Sequence, residues 1–94
     1  MAYPRRSTAK NPSSVASIGA ASATLVAANR DRLELFLKNT HATQSVSLNL
    51  GTEAAVAGEG IVLAAGEGIA ITSYSGAITA IGSGAATTVA IAEV

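Results

Sequence analysis

The chain has no cysteine, no tryptophan, one histidine and only three phenylalanine or tyrosine residues, and each shortage closes a class of function. Without cysteine there is no disulfide framework, no thiolate nucleophile and no cysteine-ligated metal. The redox compartment is left open. Aromatic residues are 3% of the chain, and beyond the first fourteen residues only Phe36 and Tyr74 remain, so platforms on which bases or sugars stack are scarce. Charged residues are 13%, against about 25% in ordinary globular domains, and they sum to a net charge of +0. A weakly polar surface of this kind fits a molecule partly covered by its own copies or by a partner. Long hydrophobic runs are missing too. Gly68 to Ala92 carries no charge and is long enough to cross a bilayer, but Gly76, Gly82, Gly84 and several serines and threonines break it up, which excludes a membrane helix. Arg5-Arg6 ahead of a run ending in Leu25-Val26-Ala27-Ala28 is not read as a signal peptide. Ser17, Gly19 and Ser22 interrupt that run, and Ser7-Thr8-Ala9 after the arginines are not hydrophobic.

What is present is glycine at regular intervals between short aliphatic segments. Gly58-Glu59-Gly60 and Gly66-Glu67-Gly68 are copies eight residues apart, each opening an apolar segment, Ile61-Val62-Leu63 and Ile69-Ala70-Ile71. Eight residues are too few for a helix with its connections, and glycine adopts turn conformations at no steric cost. The expectation is two neighbouring strands.

Residues 1–14 hold both prolines, three cations and no acid, and have no hydrophobic periodicity, so they read as a flexible basic N-terminal arm. Arg5, Arg6 and Lys10 give the arm +3, leaving −3 on residues 15–94, which form the one folded domain. Ser14 to Ala28 mixes helix-favouring alanines with Val15, Ile18, Thr24 and Val26, and Gly19 turns the reading toward strand. Leu33 to Lys38 alternates, with Leu33, Leu35 and Leu37 inward and Glu34, Phe36 and Lys38 outward. Phe36 on the outward side implies that this face is partly covered. Ser45 to Leu50 alternates again, with Val46, Leu48 and Leu50 inward and Ser45, Ser47 and Asn49 outward, and these two strands are expected to pair. Ile78 to Ile81 and Thr87 to Ala92 complete the set. About seven short strands with turn signals every eight to twelve residues predict an all-β fold, a small antiparallel β-sandwich or barrel.

Arg32-Leu33, Leu35, Leu37-Lys38-Asn39, Val46 and Leu48, followed by Gly60, Leu63, Gly66-Glu67, Tyr74, Gly76 and Ala80-Ile81, carry a resemblance. Residues 24 to 94 resemble a group of small all-β bacteriophage virion proteins, in which a strand like L-x-L-x-N precedes G-I-x-L-x-P-G-E and then Y-x-G-x-x-x-A-I. Ala65 stands where that pattern has proline. The resemblance implies a non-enzymatic structural protein of the virion, assembled in the host cytoplasm. The expected role is a capsid decoration or cement protein that binds the outer surface of the major capsid protein as a homo-oligomer, taken as a trimer, and stabilises it. It brings no catalytic residue and no cofactor.

The residues themselves offer no other chemistry. His41 lies in a polar loop, and no G-x-S-x-G nucleophile turn, zinc spacing, calcium loop or phosphate-binding glycine motif occurs. Glu59 and Glu67 lie between glycines and read as turn solubilisers, not as a catalytic carboxylate pair. A body of charge −3 with two aromatics does not suit nucleic acid. Candidate contact residues are therefore Tyr3, Arg5, Arg6 and Lys10 of the arm, for the capsid, and Phe36 and Tyr74 as exposed-face contacts. The alternative is a fibre or tail module that binds a host receptor or glycan, with Tyr74 as its platform.

Overall fold

The computed structural model describes residues 13–94, and the arm residues Tyr3, Arg5, Arg6 and Lys10 lie outside them. Eight strands form two antiparallel sheets: β1 (Ser13–Ile18), β2 (Ala23–Val26), β3 (Glu34–Asn39), β4 (Val46–Leu50), β5 (Ile61–Leu63), β6 (Gly68–Thr72), β7 (Ile78–Gly82) and β8 (Thr87–Glu93). Sheet A has the order β1-β8-β3-β6 and sheet B the order β2-β7-β4-β5. The fold is the expected small all-β sandwich, with eight strands where about seven were expected. The extra one arises because Gly19 to Ser22 divide Ser14 to Ala28 into β1 and β2, which belong to different sheets. Ser13 and Ser14, assigned to the arm from sequence, open β1 opposite Ala92 and Ile91.

Alternation puts one set of side chains from each sheet into a shared core. Leu35, Leu37, Ile71, Val89 and Ile18 of sheet A meet Val46, Leu48, Leu63, Ile78 and Ala80 of sheet B. Burying each large aliphatic side chain contributes about 1.5 to 3 kcal/mol relative to exposure. Two leucines depart from the expected pattern. Leu33 precedes β3, with its amide donating to Val94 O at 2.7 Å, and Leu50 lies at the rim of β4 with 44% exposure. In β2 the register shifts between Thr24 and Val26, so the consecutive residues Leu25 and Val26 are both buried.

The eight-residue repeat is a repeat of turns. Gly58 and Gly66 both have φ of 81°, and the turns close through Glu59 N to Val56 O at 3.0 Å and Glu67 N to Ala64 O at 2.9 Å. Positive φ at the third position is the mark of a type II turn, the conformation that glycine permits there. Gly60 is needed for a second reason, since a Cβ on it would collide with Leu48 O. The strands after the two turns are not neighbours as expected: β5 pairs with β4 in sheet B, and β6 pairs with β3 in sheet A. Likewise β3 and β4 do not pair but face each other across the core. Among the described residues only the β4 to β5 connection stays within one sheet.

Two buried polar residues clamp the ends of the sandwich. Arg32, only 5% exposed, donates from Nε to Glu93 Oε1 at 2.8 Å, from Nη1 to Tyr74 O and Gly76 O at 3.2 and 2.9 Å, and from Nη2 to Ala27 O at 2.7 Å. The guanidinium thus joins the β2–β3 and β6–β7 loops to β8, using the fixed fork that lysine lacks. At the other end Asn39 Nδ2 donates to Gln44 O at 2.7 Å and Leu63 O at 3.0 Å, while its Oδ1 accepts the His41 amide at 3.0 Å. That network carries the chain from sheet A to sheet B directly after β3. It explains physically why the two leucine-rich strands do not form a hairpin.

Candidate functional site

With the inner faces packed together, binding falls to the outer faces, and these are built differently. On sheet B the outward residues Ser47, Asn49 and Thr79 hold the segment 51–60 over the strands. Ser47 Oγ accepts the Gly58 amide at 2.9 Å, Thr79 Oγ1 donates to Glu53 O at 2.6 Å, and Asn49 Nδ2 donates to the same carbonyl at 3.1 Å. Ser47 and Thr79 are consequently buried, although strand alternation points them outward.

Sheet A has no such cover among the described residues. Paired residues of adjacent strands share a face, so its outward residues form rows across the sheet. Ser13, Ala92, Phe36 and Ala70 make one row, and Val15, Ala90, Lys38 and Gly68 the next. A third holds Val94, Glu34 and Thr72, with Val94 and Glu34 exchanging backbone hydrogen bonds at 3.0 and 3.2 Å. Alanine and glycine keep the middle of this face low. Phe36 is 42% exposed and Val15 68%, and between them lies a shallow apolar depression of about 660 Å³. Glu34 and Lys38 make no ion pair among the described residues.

Phe36 therefore sits on a face that is open among the described residues, beside Val15, Ala70, Ala90 and Ala92, which sequence reasoning did not single out. The available signal was Ala90 and Ala92 at alternate positions of β8 and Ala70 between the two isoleucines of β6. Tyr74 is placed differently. It is half-buried against the core, and its hydroxyl donates to Ala77 O at 2.7 Å across the β6–β7 turn, so the ring fastens that turn. His41 Nδ1 accepts the amides of Thr43 and Gln44 at 3.1 and 2.9 Å, which assigns the imidazole to loop closure. Glu67 Oε1 accepts the Ala64 amide at 2.7 Å and so braces its own turn. Tyr74 and Phe36 stand apart and do not make a common site.

Comparison with known protein families, with curated proteins and with solved structures found no match to this chain. The surface itself has to carry the functional reading. Among the described residues no group of three or more His, Cys, Asp or Glu side chains is gathered as a metal site would require, and no helix is long and apolar enough to cross a membrane. Every buried side-chain nitrogen and oxygen among them has a hydrogen-bond partner. What the arrangement offers is a largely apolar outer face on sheet A, with Glu34 and Lys38 on either side of Phe36.

Proposed function

We propose that this protein is a structural component of a phage particle, a non-enzymatic capsid decoration protein that attaches to the outer surface of the shell and stabilises it. The observation that carries the reading is the open outer face of sheet A. Ala70, Ala90 and Ala92 beside the exposed Phe36 and Val15 make a surface with little to gain from water and much to gain from another protein. The low charge of the chain and its resemblance to small all-β virion proteins support the same reading. The cations Arg5, Arg6 and Lys10, with Tyr3, supply the contact to the major capsid protein, where charge-assisted bonds to an acidic surface steer and hold the domain.

The test is cosedimentation of the purified protein with procapsids and with mature capsids of the encoding phage. Binding is expected. Replacing Arg5, Arg6 and Lys10 together by alanine is expected to raise the dissociation rate and flatten its salt dependence, since exposed charges are screened beyond about 8 Å at physiological ionic strength. Absence of binding to either particle at low salt would overturn the proposal.

A further inference from the structure

The open face of sheet A has a self-complementary pattern, and we propose that its occupant is the same face of a second copy, related by a twofold axis lying along the row Ser13-Ala92-Phe36-Ala70. This deepens the structural reading above by naming the partner of its surface. Such an axis reverses the strand direction and leaves each strand facing its own counterpart, so the row on one side of it meets the row on the other. Lys38 then stands opposite the second copy's Glu34, and Glu34 opposite its Lys38. Ala90 meets Val94, and Gly68 meets Thr72, so each larger side chain faces a smaller one. Along the axis the two Phe36 rings meet between Ala92 and Ala70, whose size lets two sheets approach to the usual separation of about 10 Å.

Charge makes the twofold specific. Glu34 and Lys38 flank Phe36 on one strand, and among the described residues neither has an ion-pair partner within the chain. A copy stacked over β3 in the same strand direction would set Lys38 against Lys38 and Glu34 against Glu34, which is repulsive. The face is roughly 19 by 17 Å, from four strands about 4.8 Å apart and five residues of about 3.4 Å each. At about 320 Å² per copy it falls below the size of stable specific interfaces, in the range of weak, transient contacts. The dimer is therefore weak and concentration-dependent, and it joins copies in pairs, not in the threes implied by the resemblance.

The experiment is sedimentation velocity on the full chain from low micromolar to millimolar concentration, with circular dichroism to confirm the fold of each variant. The parent is expected to pass from monomer to dimer. Glu34→Lys alone and Lys38→Glu alone are expected to abolish dimerisation over that range, and the double exchange to restore it. Because the chain has no cysteine, Ala92→Cys gives a single reactive site. A short bis-maleimide is expected to link it into a covalent dimer, while Val62→Cys on the outer face of sheet B stays monomeric. A parent monomeric throughout, a trimer, or a dimer indifferent to the single charge reversals would overturn the inference. Capsid binding by a charge-reversed monomer would leave the proposed function standing while the dimer reading fell.

Discussion

The outer faces of the two sheets are both rich in small residues, yet one is closed by its own chain and the other, among the described residues, is open. The difference lies in hydrogen-bonding capacity. Sheet B presents Ser47, Asn49 and Thr79, whose side chains take up the Gly58 amide and the Glu53 carbonyl and fix a ten-residue segment over the strands. Sheet A presents Ala70, Ala90 and Ala92 at corresponding depth, and alanine has nothing with which to hold a loop. A covering segment needs somewhere to place its backbone donors and acceptors, and the alanines and glycine at the middle of sheet A offer none.

The comparison is broken most severely at the inner faces, which the sheets share. Leu35→Asp in sheet A and Leu48→Asp in sheet B are each expected to unfold the protein. Leu35 is fully buried and Leu48 nearly so, and an unpaired carboxylate there costs as much as the about 5 to 10 kcal/mol that holds such a domain. Glu34→Gln, one residue away, is expected to leave thermal unfolding within about 0.5 kcal/mol of the parent. A Leu35→Asp protein that melts within a few degrees of the parent would show that the inner face is wrongly assigned.

Thr79→Val sharpens the contrast at intermediate size. It removes the 2.6 Å bond to Glu53 O and the acceptor for Asn49 Nδ2, for an expected loss of about 1 to 2 kcal/mol. Amide exchange should quicken across residues 52–60 and stay unchanged in β3 and β8. Uniform quickening in both sheets would mean that the segment is not a separate cover. The smallest effect concerns the paired turns. Ala65→Pro fits the second position of its type II turn, where proline's fixed φ is already required, and is expected to stabilise by about 0.4 to 1 kcal/mol, read as a higher melting temperature. A lower melting temperature would show that the Ala65 backbone is not in that conformation.

These contrasts mark how far sequence reaches. Strand positions were legible because β3, β4 and β8 alternate, and the glycine repeat located both type II turns. Pairing was not legible. It depends on which sheet the chain enters after each turn, and at Asn39 that is decided by bonds to Gln44 O and Leu63 O, the latter 24 residues away. Burial of Ser47 was hidden for the same reason, since its cover arrives from a distant segment. Arg32 gave no sign of its role within the polar run Asn29-Arg30-Asp31-Arg32, because its acceptors are carbonyls of two loops and one glutamate 61 positions on. Of the candidate surface, Phe36 was found from alternation, while Val15 and the alanines around it emerge only once β1, β8, β3 and β6 are laid side by side.

The place of β8 has a consequence for how the molecule comes into being. It lies between β1 and β3, pairing with residues 13–18 on one side and 35–39 on the other, so sheet A has no continuous ladder until it arrives. On the ribosome β8 emerges after the other seven strands, and until then β1 and the β3-β6 pair wait with open edges and no link between them. Sandwiches dominated by such distant pairings fold in milliseconds to seconds, and waiting edges invite pairing with the wrong chain. The charge-poor composition offers little repulsion against that error during synthesis. Protection comes from brevity: every strand other than β8 has six residues or fewer, too little for a lasting mispaired sheet before the central strand takes its place.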